Sequence, residues 1–118
     1  MAHDQGERLT ALIALALTFG LSPVQAQAWA WLTWEGREYE YVCASEIIQA
    51  ESSWNPNAVG DRTIGGSYGL GQRHAPAHGK PPEGWTVAEQ MEWFTDYADE
   101  RYGGWCPAAA ARREKGWW

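Results

Sequence analysis

Two stretches of helical apolar spacing flank a turn-rich stretch in this chain. Residues 36–53 and 85–118 carry apolar side chains three and four positions apart, which predicts helices. Residues 54–84 are rich in Gly and Pro, which predicts loop and turns. We therefore expect a small, mainly α domain with a central helix, a Gly-rich loop region and C-terminal helices.

The first helix ends in a carboxylic acid that continues its buried face. The apolar stripe of this helix consists of Tyr41, Ala44, Ile47 and Ile48. At about 100° per residue, Glu51 falls within about 40° of Ala44 and Ile47. The helix is expected to end soon afterwards, because the residue before Pro56 is disfavoured in the α conformation. Glu51 is thus predicted on the last turn, between core and loop.

This position suits a proton donor. Partial burial and the negative end of the helix dipole both favour the protonated form of the Glu51 carboxyl. A protonated carboxyl is what general acid catalysis requires. The alternative is a structural Glu that joins a network around Trp54 or Tyr68. The residues alone leave both interpretations open.

The SYGLGQ motif at residues 67–72 has the composition of a ligand-binding loop. Gly69 and Gly71 would let the backbone approach a ligand closely. The Tyr68 ring could lie against a sugar, and the Gln72 amide could both donate to and accept from an N-acetyl group. The alternative is a Gly-rich connector with one buried tyrosine.

The C-terminal stretch is predicted to be scaffold. Thr86 and Glu89 form a capping-box pattern at the start of a helix. Its core face is predicted to hold Val87, Met91, Phe94 and Ala98. Glycines 103–104 end that helix, residues 108–115 form a last one, and Trp117 and Trp118 are expected to fold back as a hydrophobic plug.

The N-terminal residues 1–28 are predicted to be a signal peptide, which leaves residues 29–118 as the domain. The run Leu9–Leu21 is uncharged and too short to span a bilayer, and Ala26-Gln27-Ala28 matches an A-x-A cleavage site. The alternative is an ordinary N-terminal helix. Export predicts a secreted or cell-wall-associated protein with no stable membrane insertion after the leader is removed.

Cys43 and Cys106 are a possible disulfide in an exported domain. Such a bridge would stabilise the fold by about 4 kcal/mol on the chain-entropy model. Two free buried thiols are the alternative. We expect no metal site, because there is no CxxC pair and Pro76 interrupts any helix that would align His74 with His78.

Composition narrows the possible partners. The net charge of -6 argues against a nucleic-acid-binding protein, which needs a basic face. Nine Trp, five Tyr and two Phe provide large apolar surfaces, so a chain of 118 residues can build one small core. We expect a monomer.

Three segments together carry a resemblance to a known family. The segment ESSWNPNAVGD from Glu51, the SYGLGQ motif, and QMEWFTDYADERYGGWCPAAAARREKGWW at the C-terminus resemble the lysozyme-like lytic transglycosylase superfamily. The small transglycosylase-like domains of actinobacteria and their phages are the most similar type. The resemblance covers roughly residues 40–118.

The resemblance implies a fold, a reaction and site residues. It implies a small lysozyme-like fold that cleaves the β-1,4 bond between N-acetylmuramic acid and N-acetylglucosamine in the glycan strands of peptidoglycan. Glu51 matches the single catalytic Glu, which acts as acid and then as base, without a metal or cofactor. The residues that match the substrate-binding positions are Ser52, Tyr68, Gly69, Leu70 and Gln72.

The chain also departs from the family pattern. Gly71 stands where many soluble transglycosylases have Met, and their later Ala-Tyr-Asn motif is absent. Asp61 is a possible second carboxylate, although a loop cap is the favoured interpretation; as a catalytic base it would make the protein a lysozyme-type hydrolase. Outside enzymes, the alternatives are a glycan-binding module without turnover and a structural or inhibitory cell-surface protein with a Trp-rich core.

Overall fold

A computed structural model describes residues 20–34 and 38–118 of the chain. These residues form helices and one small antiparallel hairpin. The elements are α1 (Pro23–Thr33), α2 (Glu38–Ser52), a 3-10 helix (Arg62–Ile64), β1 (Ser67–Tyr68), β2 (Arg73–His74), α3 (Ala75–His78), α4 (Val87–Tyr102) and α5 (Trp105–Lys115). The predicted mainly α architecture is confirmed, and it is consistent with a small lysozyme-like fold. None of the helices in these residues is long and apolar enough to cross a membrane.

Helix α1 begins at a capping box and packs on the core through small residues. The Ser22 hydroxyl accepts from the Gln25 N–H, and the Gln25 side chain accepts from the Ser22 N–H. Ala26 and Ala30 are buried on its inner face. Their small side chains suit a helix that rests closely against its neighbours.

The predicted leader lies only partly within the described residues. Residues 1–19 are outside them, and the predicted boundary after Ala28 falls inside α1. Both the leader and the domain that would start after it therefore remain predictions.

Helix α2 is the centre of the molecule. Ala44, Ile47 and Ile48 are buried, as the apolar spacing predicts. The helix ends at Ser52, and the next two residues, Ser53 and Trp54, have positive φ angles of 51° and 63°. Non-glycine residues rarely adopt this conformation, and the packing of the buried Trp54 ring holds it here.

The loop after α2 leads into the hairpin. β1 and β2 pair antiparallel, with Ser67 opposite His74 and Tyr68 opposite Arg73. The residues between them, Gly69 to Gln72, form the turn, and Leu70 and Gly71 within it are buried. The Gly-rich motif is thus a buried turn that packs on the core.

Helices α4 and α5 complete the core. The Thr86–Glu89 capping box opens α4, and Gly103 in the left-handed conformation closes it, as predicted. Helix α5 begins at Trp105, three residues before the predicted start, and Gly116 ends it.

The two C-terminal tryptophans differ in their packing. Trp118 stacks on Trp105 with ring centroids 5.3 Å apart and contacts Phe94, so the predicted plug is confirmed for this residue. Trp117 is 52% exposed, so the prediction was wrong for its neighbour. The Trp118 ring alone occupies the space beside Phe94 and Trp105.

A disulfide joins Cys43 in α2 to Cys106 in α5, as predicted. Its two Cα atoms lie 4.9 Å apart, and the bridge closes a loop between residues 63 apart in sequence. The bridge links the helix that carries Glu51 covalently to the C-terminal helix.

Candidate functional site

Glu51 lies on the last turn of α2 and points toward α5. Its carboxylate oxygen Oε1 accepts a hydrogen bond from Nε of Arg112 at 3.0 Å. The Glu51 side chain is 18% exposed and that of Arg112 is 25% exposed. We call this contact the inner pair. The predicted border position of Glu51 agrees with this partial burial.

The inner pair adds a cation that the sequence analysis missed. The Arg112 guanidinium brings a positive charge within hydrogen-bond distance of the Glu51 carboxylate. Arg112 could have been found from the periodicity of α5. Trp105, Ala108 and Ala109 are buried in this helix, and Arg112 follows Ala109 at the next inward position.

A second ion pair joins the same two helices. Arg113 of α5 donates to Oε1 of Glu46 in α2 at 3.2 Å. The side chains are 62% and 45% exposed, respectively. We call this contact the outer pair. Its solvent exposure makes it a natural reference for the inner pair.

Ser52 connects the end of α2 to the hairpin turn. Its hydroxyl donates to the Leu70 carbonyl at 2.7 Å, and the Ile48 carbonyl lies 3.2 Å from the same hydroxyl. Two of the predicted site residues, Ser52 and Leu70, are therefore in direct contact, and Ser52 is the chain neighbour of Glu51.

Gln90 of α4 holds the other side of the turn. This fully buried side chain accepts from the Leu70 N–H at 2.8 Å and donates to the Pro56 carbonyl at 2.9 Å and the Trp85 carbonyl at 3.2 Å. A buried amide is stable only when its polar atoms are bonded in this way. Sequence reasoning did not single out Gln90, because its partners are backbone groups of three separate loops.

Gln72 braces the same turn from within. Its φ of 61° is positive, and its amide nitrogen donates to the carbonyls of Gly69 at 2.9 Å and Ala58 at 3.4 Å. The side chain predicted to meet an N-acetyl group thus uses its donors on the loop itself. Its oxygen lies against Gly60, where an added Cβ would be 2.6 Å away.

Tyr68 and Gly69 line an open cleft of about 300 Å³ beside the hairpin. Trp85 and the prolines at 56, 81 and 82 form much of the apolar wall. Glu51 is not one of the lining residues of this cleft. The connection between them runs through Ser52, Leu70 and Gln90, the last of which does line the cleft.

Asp61 caps the 3-10 helix. Its carboxylate accepts from the Thr63 N–H at 2.9 Å and from the Thr63 hydroxyl at 2.5 Å. The two hydrogen bonds, the hydroxyl's first, hold the pKa of the exposed Asp61 below its usual value. The favoured interpretation of Asp61 as a loop cap matches these contacts.

Trp118 gives a physical reason for the glycine at position 71. A Cβ on Gly71 would lie 2.6 Å from the Phe94 ring and 2.8 Å from the Trp118 ring. The Trp118 indole N–H also donates to the Gly71 carbonyl at 3.0 Å. The space that a longer side chain would need at position 71 is occupied by the C-terminal tryptophan.

The histidines have other contacts. His74 Nδ1 lies 3.3 Å from the Ser67 hydroxyl, and the His78 ring packs edge-on against Trp93 and Tyr97. Desolvation and then the charge of Arg73 lower the pKa of His78. Within residues 20–34 and 38–118, no three His, Cys, Asp or Glu side chains gather as a metal site would require.

Comparison with known proteins gives two partial similarities, both to proteins named "Probable transglycosylase IsaA". The protein from Staphylococcus haemolyticus (strain JCSC1435) is 39% identical over 75 residues, and that from Staphylococcus xylosus is 36% identical over 77 residues. These stretches cover 61% and 63% of this chain, and the chain spans 27% of the length of each relative. No family profile and no solved structure matches the chain.

Proposed function

We propose that the chain is a peptidoglycan lytic transglycosylase in which Glu51 is the single acid and base. The observation that carries the proposal is the position of this partly buried carboxylate at the end of α2. The next residue, Ser52, donates from its hydroxyl to the Leu70 carbonyl in the turn of the Gly-rich hairpin. The partial similarity to probable transglycosylases supports the same reaction class.

The backbone around Glu51 gives independent support. Among the described residues, the non-glycine residues with positive φ are Ser53, Trp54 and Gln72. Two of them directly follow α2, and the third closes the hairpin turn that Ser52 contacts. Strained backbone conformations concentrate at functional sites, where surrounding structure holds them in place.

In the proposed reaction, protonated Glu51 gives its proton to the oxygen that links C1 of N-acetylmuramic acid to N-acetylglucosamine. The C1–O bond breaks, and its electron pair stays on the leaving oxygen, which becomes a hydroxyl. The ionised Glu51 then takes the proton of the muramoyl C6 hydroxyl while that oxygen bonds to C1. A 1,6-anhydro ring results, Glu51 is protonated again, and the balance needs no water, metal or cofactor.

The hairpin cleft supplies the rest of the proposed glycan site. Tyr68 and Trp85 offer ring surfaces, and Gly69 lies between them and Gln90 in the wall of the cleft. A sugar ring stacks on such surfaces through its apolar face. Ser52, Leu70 and Gln72 then act by holding the turn in place rather than by contacting sugar.

A glycan-binding module is the second candidate, and the inner pair is the observation that favours it. The Arg112 guanidinium already engages the Glu51 carboxylate, whereas an acid–base residue must present that carboxylate to the glycosidic oxygen. A module that binds without turnover has no such requirement. A lysozyme-type hydrolase would share the substrate and differ in its product.

The proposed location is outside the cell or at the cell wall, where the substrate lies. The leader at residues 1–28 belongs to this proposal. Determining the N-terminus of the protein recovered from culture medium tests it, and an intact Met1 on exported protein would contradict removal of a leader.

The test of the proposed function is digestion of purified peptidoglycan by the wild-type protein, Glu51→Gln and the matched control Glu46→Gln. We expect Glu51→Gln to lose at least about 100-fold in rate, because general acid–base catalysis contributes that much or more. Glu46→Gln removes a carboxylate from the same helix and should keep the wild-type rate.

Mass spectrometry of the released fragments identifies the product. A transglycosylase leaves 1,6-anhydro ends, one water lighter than the reducing ends that a hydrolase leaves. Wild-type turnover in Glu51→Gln would refute the assignment of Glu51. Binding to peptidoglycan with no fragments released by the wild-type protein would favour the glycan-binding module.

A further inference from the structure

Arg112 lies opposite Glu51 because both residues continue the buried stripe of their helix. In α2 the stripe is Ala44, Ile47 and Ile48, followed by Glu51; in α5 it is Trp105, Ala108 and Ala109, followed by Arg112. Both sequences have positions i, i+3, i+4 and i+7, which share one helix face. The two charged groups therefore meet where the apolar contact between α2 and α5 ends.

We propose that Arg112 is a positioning residue for Glu51, an inference that rests on the proposed function. Its Nε donor fixes Oε1, which leaves proton transfer to the second oxygen of the same carboxylate. A guanidinium is planar and always charged, so the bond also fixes the orientation of the carboxylate. Arg112 does not touch the reacting atoms and acts only through Glu51.

The cation has a function in each half of the reaction. When Glu51 gives up its proton, negative charge develops on the carboxylate, and a fixed positive group beside it stabilises that charge. In the second half, the ionised carboxylate must stay in place until it receives the proton of the muramoyl hydroxyl.

The same contact could instead hold Glu51 inactive until the pair breaks. The two possibilities predict opposite effects of removing the cation. Loss of a positioning residue lowers the turnover rate, whereas loss of an inhibitory contact raises it. The sign of the change in kcat therefore decides between them.

Arg113 is a matched control for Arg112. It is the next residue of α5, carries the same charge and pairs with Glu46 of α2, but its side chain is 62% exposed. The experiment measures kcat and KM on soluble glycan strands of peptidoglycan for the wild-type protein, Arg112→Gln, Arg112→Lys and Arg113→Gln. Thermal unfolding of each variant checks that it is folded.

We expect Arg112→Gln to lower kcat by about 10- to 100-fold with little change in KM, because small misplacements of a catalytic group have effects of this size. Arg112→Lys should recover part of kcat, since it restores the charge without the planar donor geometry. Arg113→Gln should match the wild-type protein. A purely structural role of Arg112 would lower stability without this selective loss of kcat.

A wild-type or raised kcat in folded Arg112→Gln would overturn the inference, as would an equal loss in Arg113→Gln. If Arg112→Gln does not fold, Arg112→Lys decides: a several-fold loss of kcat supports positioning and a wild-type kcat refutes it. Full activity of Glu51→Gln, or none in the wild-type protein, would instead overturn the proposed function and the inference with it.

Discussion

The inner and outer pairs join the same two helices across similar distances, yet they lie in different surroundings. Their donor–acceptor distances are 3.0 Å and 3.2 Å. The inner pair is mostly screened from water and adjoins the hairpin turn through Ser52, whereas the outer pair is in solvent. The donor–acceptor distance alone therefore does not identify a functional ion pair. The burial of its side chains and the residues next to it do.

The largest expected effect is that of removing the disulfide, which links the two helices that form both ion pairs. The variant Cys43→Ser/Cys106→Ser frees α2 from α5 and should lower the free energy of unfolding by about 4 kcal/mol. Chemical denaturation with and without reductant measures it: reductant should destabilise the wild-type protein to the level of the variant. Equal stability of the oxidised wild-type protein and the double-serine variant would show that packing alone holds the helices together.

The positions of the inner-pair residues can largely be predicted from the sequence, because α2 and α5 have the same spacing of apolar residues. The stripe of α2 correctly placed Glu51 at the edge of the core. The equivalent stripe of α5 is harder to recognise, because the sequence predicts a helix that starts at residue 108 and so excludes Trp105. Without Trp105, only two alanines mark the inward face, and Arg112 resembles any surface arginine.

The spacing of apolar residues does not predict contacts between loops that are distant in sequence. Gln90 meets backbone groups of three loops, and Trp118 fills the space beside Gly71. Periodicity describes one element at a time, so it cannot say which loop a buried amide will serve. Nor could it tell Trp118 from Trp117, because their different packing depends on the ring space that α4 and α5 leave between them.

Gly71→Ala should displace the hairpin turn that adjoins the inner pair and should leave the surroundings of the outer pair unchanged. Its Cβ would overlap the Phe94 and Trp118 rings, which should cost about 1–3 kcal/mol as overpacking does. The displaced turn carries Leu70, the acceptor of the Ser52 hydroxyl, so activity should fall as well. Thermal unfolding and the peptidoglycan digestion assay measure the two effects.

Gly103→Ala is the control for Gly71→Ala. Gly103 has a φ of +85° and no atom within 4 Å of an added Cβ, so this change strains only the backbone at the end of α4. The cost should be about 1–2 kcal/mol, similar to that of Gly71→Ala. Activity should stay at the wild-type level at temperatures where the variant is folded. Equal losses of activity in both variants would mean that stability, not the hairpin turn, limits turnover.

The smallest expected effect is the coupling free energy within each ion pair. Double-mutant cycles on the free energy of unfolding measure it and compare the two pairs directly. Each cycle combines Glu→Gln and Arg→Gln, at positions 51 and 112 for the inner pair and at 46 and 113 for the outer pair. Contacting residues couple by roughly 0.5–3 kcal/mol, whereas exposed ion pairs give roughly 0.2–1 kcal/mol. We expect the inner coupling to be the larger and the less sensitive to salt, because screening acts mainly on exposed charges. Equal couplings with equal salt dependence would mean that partial burial does not distinguish the two pairs, and the special place of Arg112 would then depend on kcat alone.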